Sequence, residues 1–132
     1  MALPGVISAI ALILYYWALF NVRRARKRFY VEPPATQGAE AFNRIFRTQQ
    51  VIGEHLIVFI PSLWMFSYYL SEFWGGILGA IWVIGRLIFA IGYYQSTARR
   101  LPGVYIAYPV EFVLVLGALI GATQHLAAVG IN

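Results

Sequence analysis

The chain has 132 residues, of which 61% are hydrophobic and only 11% charged, whereas a soluble domain is nearer half apolar and about a quarter charged. That composition excludes an ordinary soluble domain and leaves one membrane-embedded bundle over residues 1–132. The net charge of +5 does not point to nucleic acid, because the basic residues abut apolar runs, as they do at a cytoplasmic membrane edge.

The first apolar run, about Leu3 to Asn21, carries no charge and is long enough to cross a bilayer. Its basic residues follow it rather than precede it, and it is too long for a signal core, so it reads as a retained span. Arg23, Arg24, Arg26, Lys27 and Arg28 continue the helix into the interface, with Arg23, Arg24 and Arg28 as lipid-headgroup contacts. Pro33-Pro34 ends it, and the chain to Gly38 reads as loop.

The second span runs from Glu40 to about Leu70 with Pro61 in its middle, where a kink is expected. A short turn near Ser71-Glu72-Phe73 makes an antiparallel hairpin with the third span, about Trp74 to Ser96. The fourth starts at Pro102, a good first helical residue, and runs to about Ala128. The fold class is therefore all-α, an integral membrane four-helix bundle. Four spans put both termini on one side and both basic clusters on the other, which the positive-inside rule assigns to the cytoplasm.

The chain has no cysteine and two histidines, His55 and His125; it also lacks aspartate. A disulfide and a thiol nucleophile are excluded, no metal site is expected, and any thiol chemistry must use a thiol from the substrate. His125 reads as an interfacial residue.

Rise per residue orders the polar groups by depth. Counted from the turn near Glu72, Glu54 and Tyr93 both lie about 27 Å along their helices, Arg47 and Arg100 about 37 Å, and Arg86 about 17 Å, near the bilayer middle. Arg47, Gln50, Val51 and Glu54 share one helix face, as do Arg86 and Tyr93. Counting down the fourth span brings Glu111 to the level of Arg86, which predicts a buried ion pair holding spans three and four in register. The remaining polar face, near the cytoplasmic edge, suits a small anionic ligand with an amine. Arginines would bind its carboxylates and lower the pKa of a nearby thiol, and Glu54 would take the amine.

These residues resemble a known family. Phe42-Asn43-Arg44-Ile45-Phe46-Arg47-Thr48-Gln49-Gln50-Val51-Ile52-Gly53-Glu54 is similar to the second-helix signature of the membrane-associated proteins in eicosanoid and glutathione metabolism (MAPEG), roughly Phe-x-Arg-x-x-Arg-x-Gln-x-Asn-x-x-Glu. Gly85-Arg86-Leu87-Ile88-Phe89-Ala90-Ile91-Gly92-Tyr93-Tyr94 resembles the third-helix signature. Ala25 to Phe29, followed by Val31-Glu32-Pro33-Pro34, resembles the first cytoplasmic loop.

The resemblance implies a homotrimer with glutathione as co-substrate, bound between neighbouring subunits on the cytosolic side. By position, Arg26, Arg47, Gln49, Glu54 and Tyr93 match glutathione contacts, and Gln50 and His55, which adjoin them, are expected to bind it as well. Arg100, chosen over Arg99 by its seven-residue spacing from Tyr93, matches the arginine that activates the thiol. Lys27 stands where the leukotriene-forming member has an arginine near the lipid substrate. Three positions depart from the pattern: Val51 replaces an asparagine, Phe89 a tyrosine, and His55 a tyrosine or glutamine.

The implied activity is conjugation of glutathione to apolar electrophiles entering from the lipid, with lipid hydroperoxide reduction as a second activity. The protein would sit in a bacterial inner membrane or the endoplasmic reticulum. A non-catalytic lipid-binding member of the same fold is an alternative that Val51 and Phe89 favour. A small transporter using Arg86 and Glu111 is another, opposed by the crowding of polar residues at one end.

Overall fold

A computed structural model describes residues 1–130. It contains four long helices, α1 (Ala2–Arg28), α2 (Glu40–Tyr69), α3 (Glu72–Gln95) and α4 (Leu101–Val129), with a 3-10 turn at Ala98–Arg100 leading into α4. All four are long and apolar enough to cross a membrane. At about 1.5 Å per residue each exceeds the roughly 30 Å hydrocarbon thickness. The protein is a multi-pass membrane protein, as its composition requires.

Helices α2 and α3 form the centre. Helix α1 packs on one side of them and α4 on the other, and α1 does not touch α4. The core is built from facing apolar stripes: Ile7, Ala11 and Ala18 of α1, Ile52, Phe59 and Leu63 of α2, Trp82 and Ala90 of α3, and Ala107 and Leu114 of α4. Phe59 and Trp82 stack with ring centroids 3.9 Å apart, locking α2 to α3. Small residues let the backbones approach, as membrane interfaces require. The closest seam joins α3 to α4, where a Cβ on Gly103 would run into the backbone of Phe89 and one on Gly92 into the carbonyl of Arg99. Large apolar side chains such as Ile13, Phe20, Ile57, Phe112 and Leu119 cover the outside, as lipid or subunit contact demands.

Two boundaries differ by a residue or two from the sequence reading. The turn between α2 and α3 is tighter than Ser71-Glu72-Phe73, because Ser71 caps α3: its Oγ accepts the Trp74 amide hydrogen at 3.2 Å, which lets Glu72 and Phe73 join the first helical turn. Helix α4 begins at Leu101, one residue before Pro102. Helix α2 runs through Pro61 without interruption.

The two ends of the bundle have different chemistry. At one end Glu72 accepts from the Leu3 amide at 3.2 Å and pairs with the Met1 amine at 3.7 Å, and the rings of Tyr69 and His125 lie 5.4 Å apart. The other end carries the basic clusters and a small satellite core of Ala25, Val31 and Phe42.

Candidate functional site

The basic end holds a groove of about 410 Å³ between α2, α3 and the start of α4. Its polar wall consists of Arg47, Tyr93, Arg100 and Tyr108; its apolar wall is Val51, Phe89, Leu101 and Val104. Of the four residues counted to the two upper levels, Arg47, Tyr93 and Arg100 line this groove and Glu54 does not. Arg100 is aimed by the 3-10 turn: its Nη1 donates to the Thr97 carbonyl at 3.0 Å, and its guanidinium lies 5.8 Å from the Tyr93 ring centroid. Arg99 turns the other way and donates to Gln95. Of the adjacent pair, Arg100 is the one in the groove.

Arg47 is loosely held. It lies 3.6 Å from Glu54, both side chains being more than half exposed (52% and 60%), and donates to Gln50 at 3.4 Å. Such a solvated pair contributes under about 1 kcal/mol, so its charges are available to a ligand. Two of the three departures from the family pattern, Val51 and Phe89, both line the groove and make one side of it apolar.

Five further predicted residues do not line this groove: Gln50 and Glu54 stand beside Arg47 on α2, and Arg26, Gln49 and His55 lie elsewhere. Arg26 donates to the Ala35 carbonyl at 2.6 Å and lies over the rings of Phe42 and Phe46 at 5.6 and 5.8 Å. Gln49 donates to the Tyr15 hydroxyl at 3.0 Å on the α1 side of α2. His55 points inward between α2 and α4, half-buried: Nδ1 lies 2.9 and 2.8 Å from the two oxygens of Glu111, and Nε2 lies 3.2 Å from the Tyr108 hydroxyl.

The ion pair expected at mid-bundle is present, with Arg86 Nη2 3.5 Å from Glu111 Oε1 and both side chains buried. It is part of a larger cluster. Glu111 also accepts from the Trp82 indole at 2.8 Å, closer than Arg86 approaches. The Arg86 guanidinium lies among the rings of Trp82, Phe89 and Tyr108, at 5.6, 5.5 and 5.0 Å. Sequence reasoning missed Trp82 and Tyr108 and did not connect His55 to Glu111. Spacing puts Tyr108 and Glu111, three apart, on one face of α4, but gives no sign that His55 faces them.

A second opening of about 500 Å³ lies at the same end between α1, α2 and the tip of α3, lined by Trp17, Asn21, Arg24, Arg28, Ile45 and Tyr94 among others. Asn21 donates to the Tyr94 hydroxyl at 3.2 Å there.

Sequence comparison places these features among known proteins. The MAPEG family profile matches residues 1–120. An uncharacterized protein of Synechocystis is 42% identical, the match covering 93% of this chain and 90% of that one. Human microsomal glutathione S-transferase 2 is 35% identical over 79% of this chain and 71% of its own. Mouse leukotriene C4 synthase is 29% identical over 95% and 83%.

Proposed function

The chain belongs to the MAPEG family, and from that premise we propose that it is a membrane glutathione transferase working in the groove at the basic end. The observation that carries this reading is the convergence of Arg47, Tyr93 and Arg100 from three separate segments on one cavity. Arg47 takes a carboxylate of glutathione through paired hydrogen bonds, and Glu54, beside it, takes the amine. Arg100 stabilises the thiolate. A free thiol has a pKa near 8.5, and each unit of lowering by a fixed cation corresponds to about 1.4 kcal/mol. Catalysis then consists of positioning and of electrostatic stabilisation at sulfur.

The apolar wall of Val51, Phe89, Leu101 and Val104 suits a hydrophobic electrophile or lipid hydroperoxide arriving from the bilayer. Arg26 and Gln49 face away from this groove, which is what a homotrimeric site between subunits requires: one subunit supplies Arg47, Tyr93 and Arg100, and its neighbour supplies the α1 side. The positive-inside rule puts this end in the cytoplasm and the termini on the opposite side. Helix α2 begins here, and its N-terminal dipole adds positive potential for an anionic ligand.

The test is conjugation of glutathione to a reactive aryl halide by detergent-solubilised protein, wild type against Arg100→Ala. Equal rates remove Arg100 from the mechanism. The apolar groove wall favours a second reading, a lipid binder without glutathione chemistry. Calorimetric titration separates the two, because a pure lipid binder gives no saturable heat with glutathione.

A further inference from the structure

Tyr108 carries a hydrogen bond from the groove wall into the interior. Its hydroxyl lies 3.2 Å from His55 Nε2, and His55 Nδ1 faces both oxygens of Glu111. A carboxylate only accepts hydrogen bonds, and this one already receives the Trp82 indole and faces Arg86. In the neutral imidazole the His55 hydrogen then sits on Nδ1, which leaves Nε2 to accept the Tyr108 hydrogen. A chain of two hydrogen bonds thus runs from the groove wall to a buried acid. Holding α3 to α4 needs only the Arg86–Glu111–Trp82 contacts. It does not need a histidine whose free nitrogen is turned to a hydroxyl on the groove.

We propose that Tyr108 and His55 take up the proton that the thiol loses in the groove; this rests on the reading that glutathione binds there. The S–H bond breaks and its hydrogen passes to the Tyr108 oxygen, while the hydrogen of that hydroxyl passes to His55 Nε2. Sulfur keeps the electron pair as a thiolate beside Arg100. His55 becomes an imidazolium with hydrogens on both nitrogens, opposite the Glu111 carboxylate. The charged groups facing it are Glu111 from α4 and Arg86 from α3. Arg86 lies 3.5 Å from the same carboxylate. Within this relay Tyr108 is the catalytic residue; His55 and Glu111 are positioning residues that act through it.

The return step assigns a substrate class. When the thiolate opens an epoxide or adds to an α,β-unsaturated carbonyl, a C–S bond forms and the resulting alkoxide or enolate needs one proton, which Tyr108 supplies and His55 replaces. An aryl halide needs none, because halide leaves with the electron pair and the stored proton goes to water. The structure favours electrophiles of the first kind.

The experiment mixes glutathione with the solubilised full-length protein in weak buffer containing a pH indicator. Thiolate absorbance and proton release are followed together. Wild type releases clearly less than one proton per thiolate formed. Tyr108→Phe, which keeps the ring on Arg86, releases one, and its turnover of an epoxide falls on the order of 10²-fold, as loss of general acid–base help predicts. Its aryl halide turnover falls far less. His55→Gln repeats the stoichiometry of Tyr108→Phe. One proton per thiolate in wild type, or equal losses on both electrophiles in Tyr108→Phe, overturns the relay while leaving the transferase reading intact. A wild type that forms no thiolate and gives no saturable glutathione heat sinks the transferase reading and the relay together.

Discussion

The two polar regions of this bundle use the same residue types to opposite ends. At mid-bundle, Arg86 and Glu111 are 0% and 7% exposed, and Glu111 is bonded to Trp82 and His55 as well as to Arg86. At the basic end, Arg47 and Glu54 are mostly solvated and 3.6 Å apart, and Arg100 spends its contacts on a backbone carbonyl and a ring face. A buried pair is committed to its partner, because lipid and protein offer no substitute. A solvated pair costs little to separate. The comparison teaches where a ligand can bind: charge that is cheap to redirect lies at one end, and charge that sets helix register lies in the middle.

The sharpest way to break this contrast is Glu111→Ala. It strands the Arg86 guanidinium among aromatic rings, where the expected loss is about 3–5 kcal/mol of stability, read as a lowered unfolding temperature in detergent. An unchanged transition would mean the pair is not structural. Next, Arg100→Ala should lower aryl halide conjugation by about 10²–10³-fold, the cost of removing one preorganised charge-stabilising group, with the unfolding transition held. A loss of stability of similar size would put Arg100 in the structural class with Glu111.

A smaller effect sharpens the groove itself. Val51→Asn places a polar group on the apolar wall, and one added hydrogen bond of about 1 kcal/mol should tighten glutathione roughly fivefold by calorimetry. No tightening would mean that residue 51 faces lipid or a neighbouring subunit when the ligand is bound. The smallest effect tests the cheap pair directly. A double-mutant cycle on Arg47 and Glu54 without ligand should give a coupling below about 1 kcal/mol; a value in the range of the buried cluster would erase the distinction.

Much of this was legible in the chain. The four spans follow from apolar length, and the Arg86–Glu111 pair from depth counting, because ideal helices keep depth close to residue number. The groove was legible for the same reason, since Arg47 and Arg100 were counted to one level. What depth cannot supply is direction around a helix axis. Ideal counting leaves His55 about 5 Å above Glu111, within reach of two side chains, but nothing in the one-dimensional pattern turns His55 toward α4 rather than toward Arg47. Gln49 is the converse case. It adjoins Gln50 in sequence and lies on a different side of the helix, bonded to Tyr15, because neighbours are about 100° apart around the axis.

Arg26 fastens the stretch from Phe29 to Ala39 through its bond to the Ala35 carbonyl and its place over Phe42 and Phe46. A ligand that recruits this guanidinium must first break the bond to Ala35, so occupancy and loosening of that stretch rise together. Amide deuterium exchange between residues 29 and 39 should then quicken on saturation with glutathione, giving a gauge of site filling that requires no turnover.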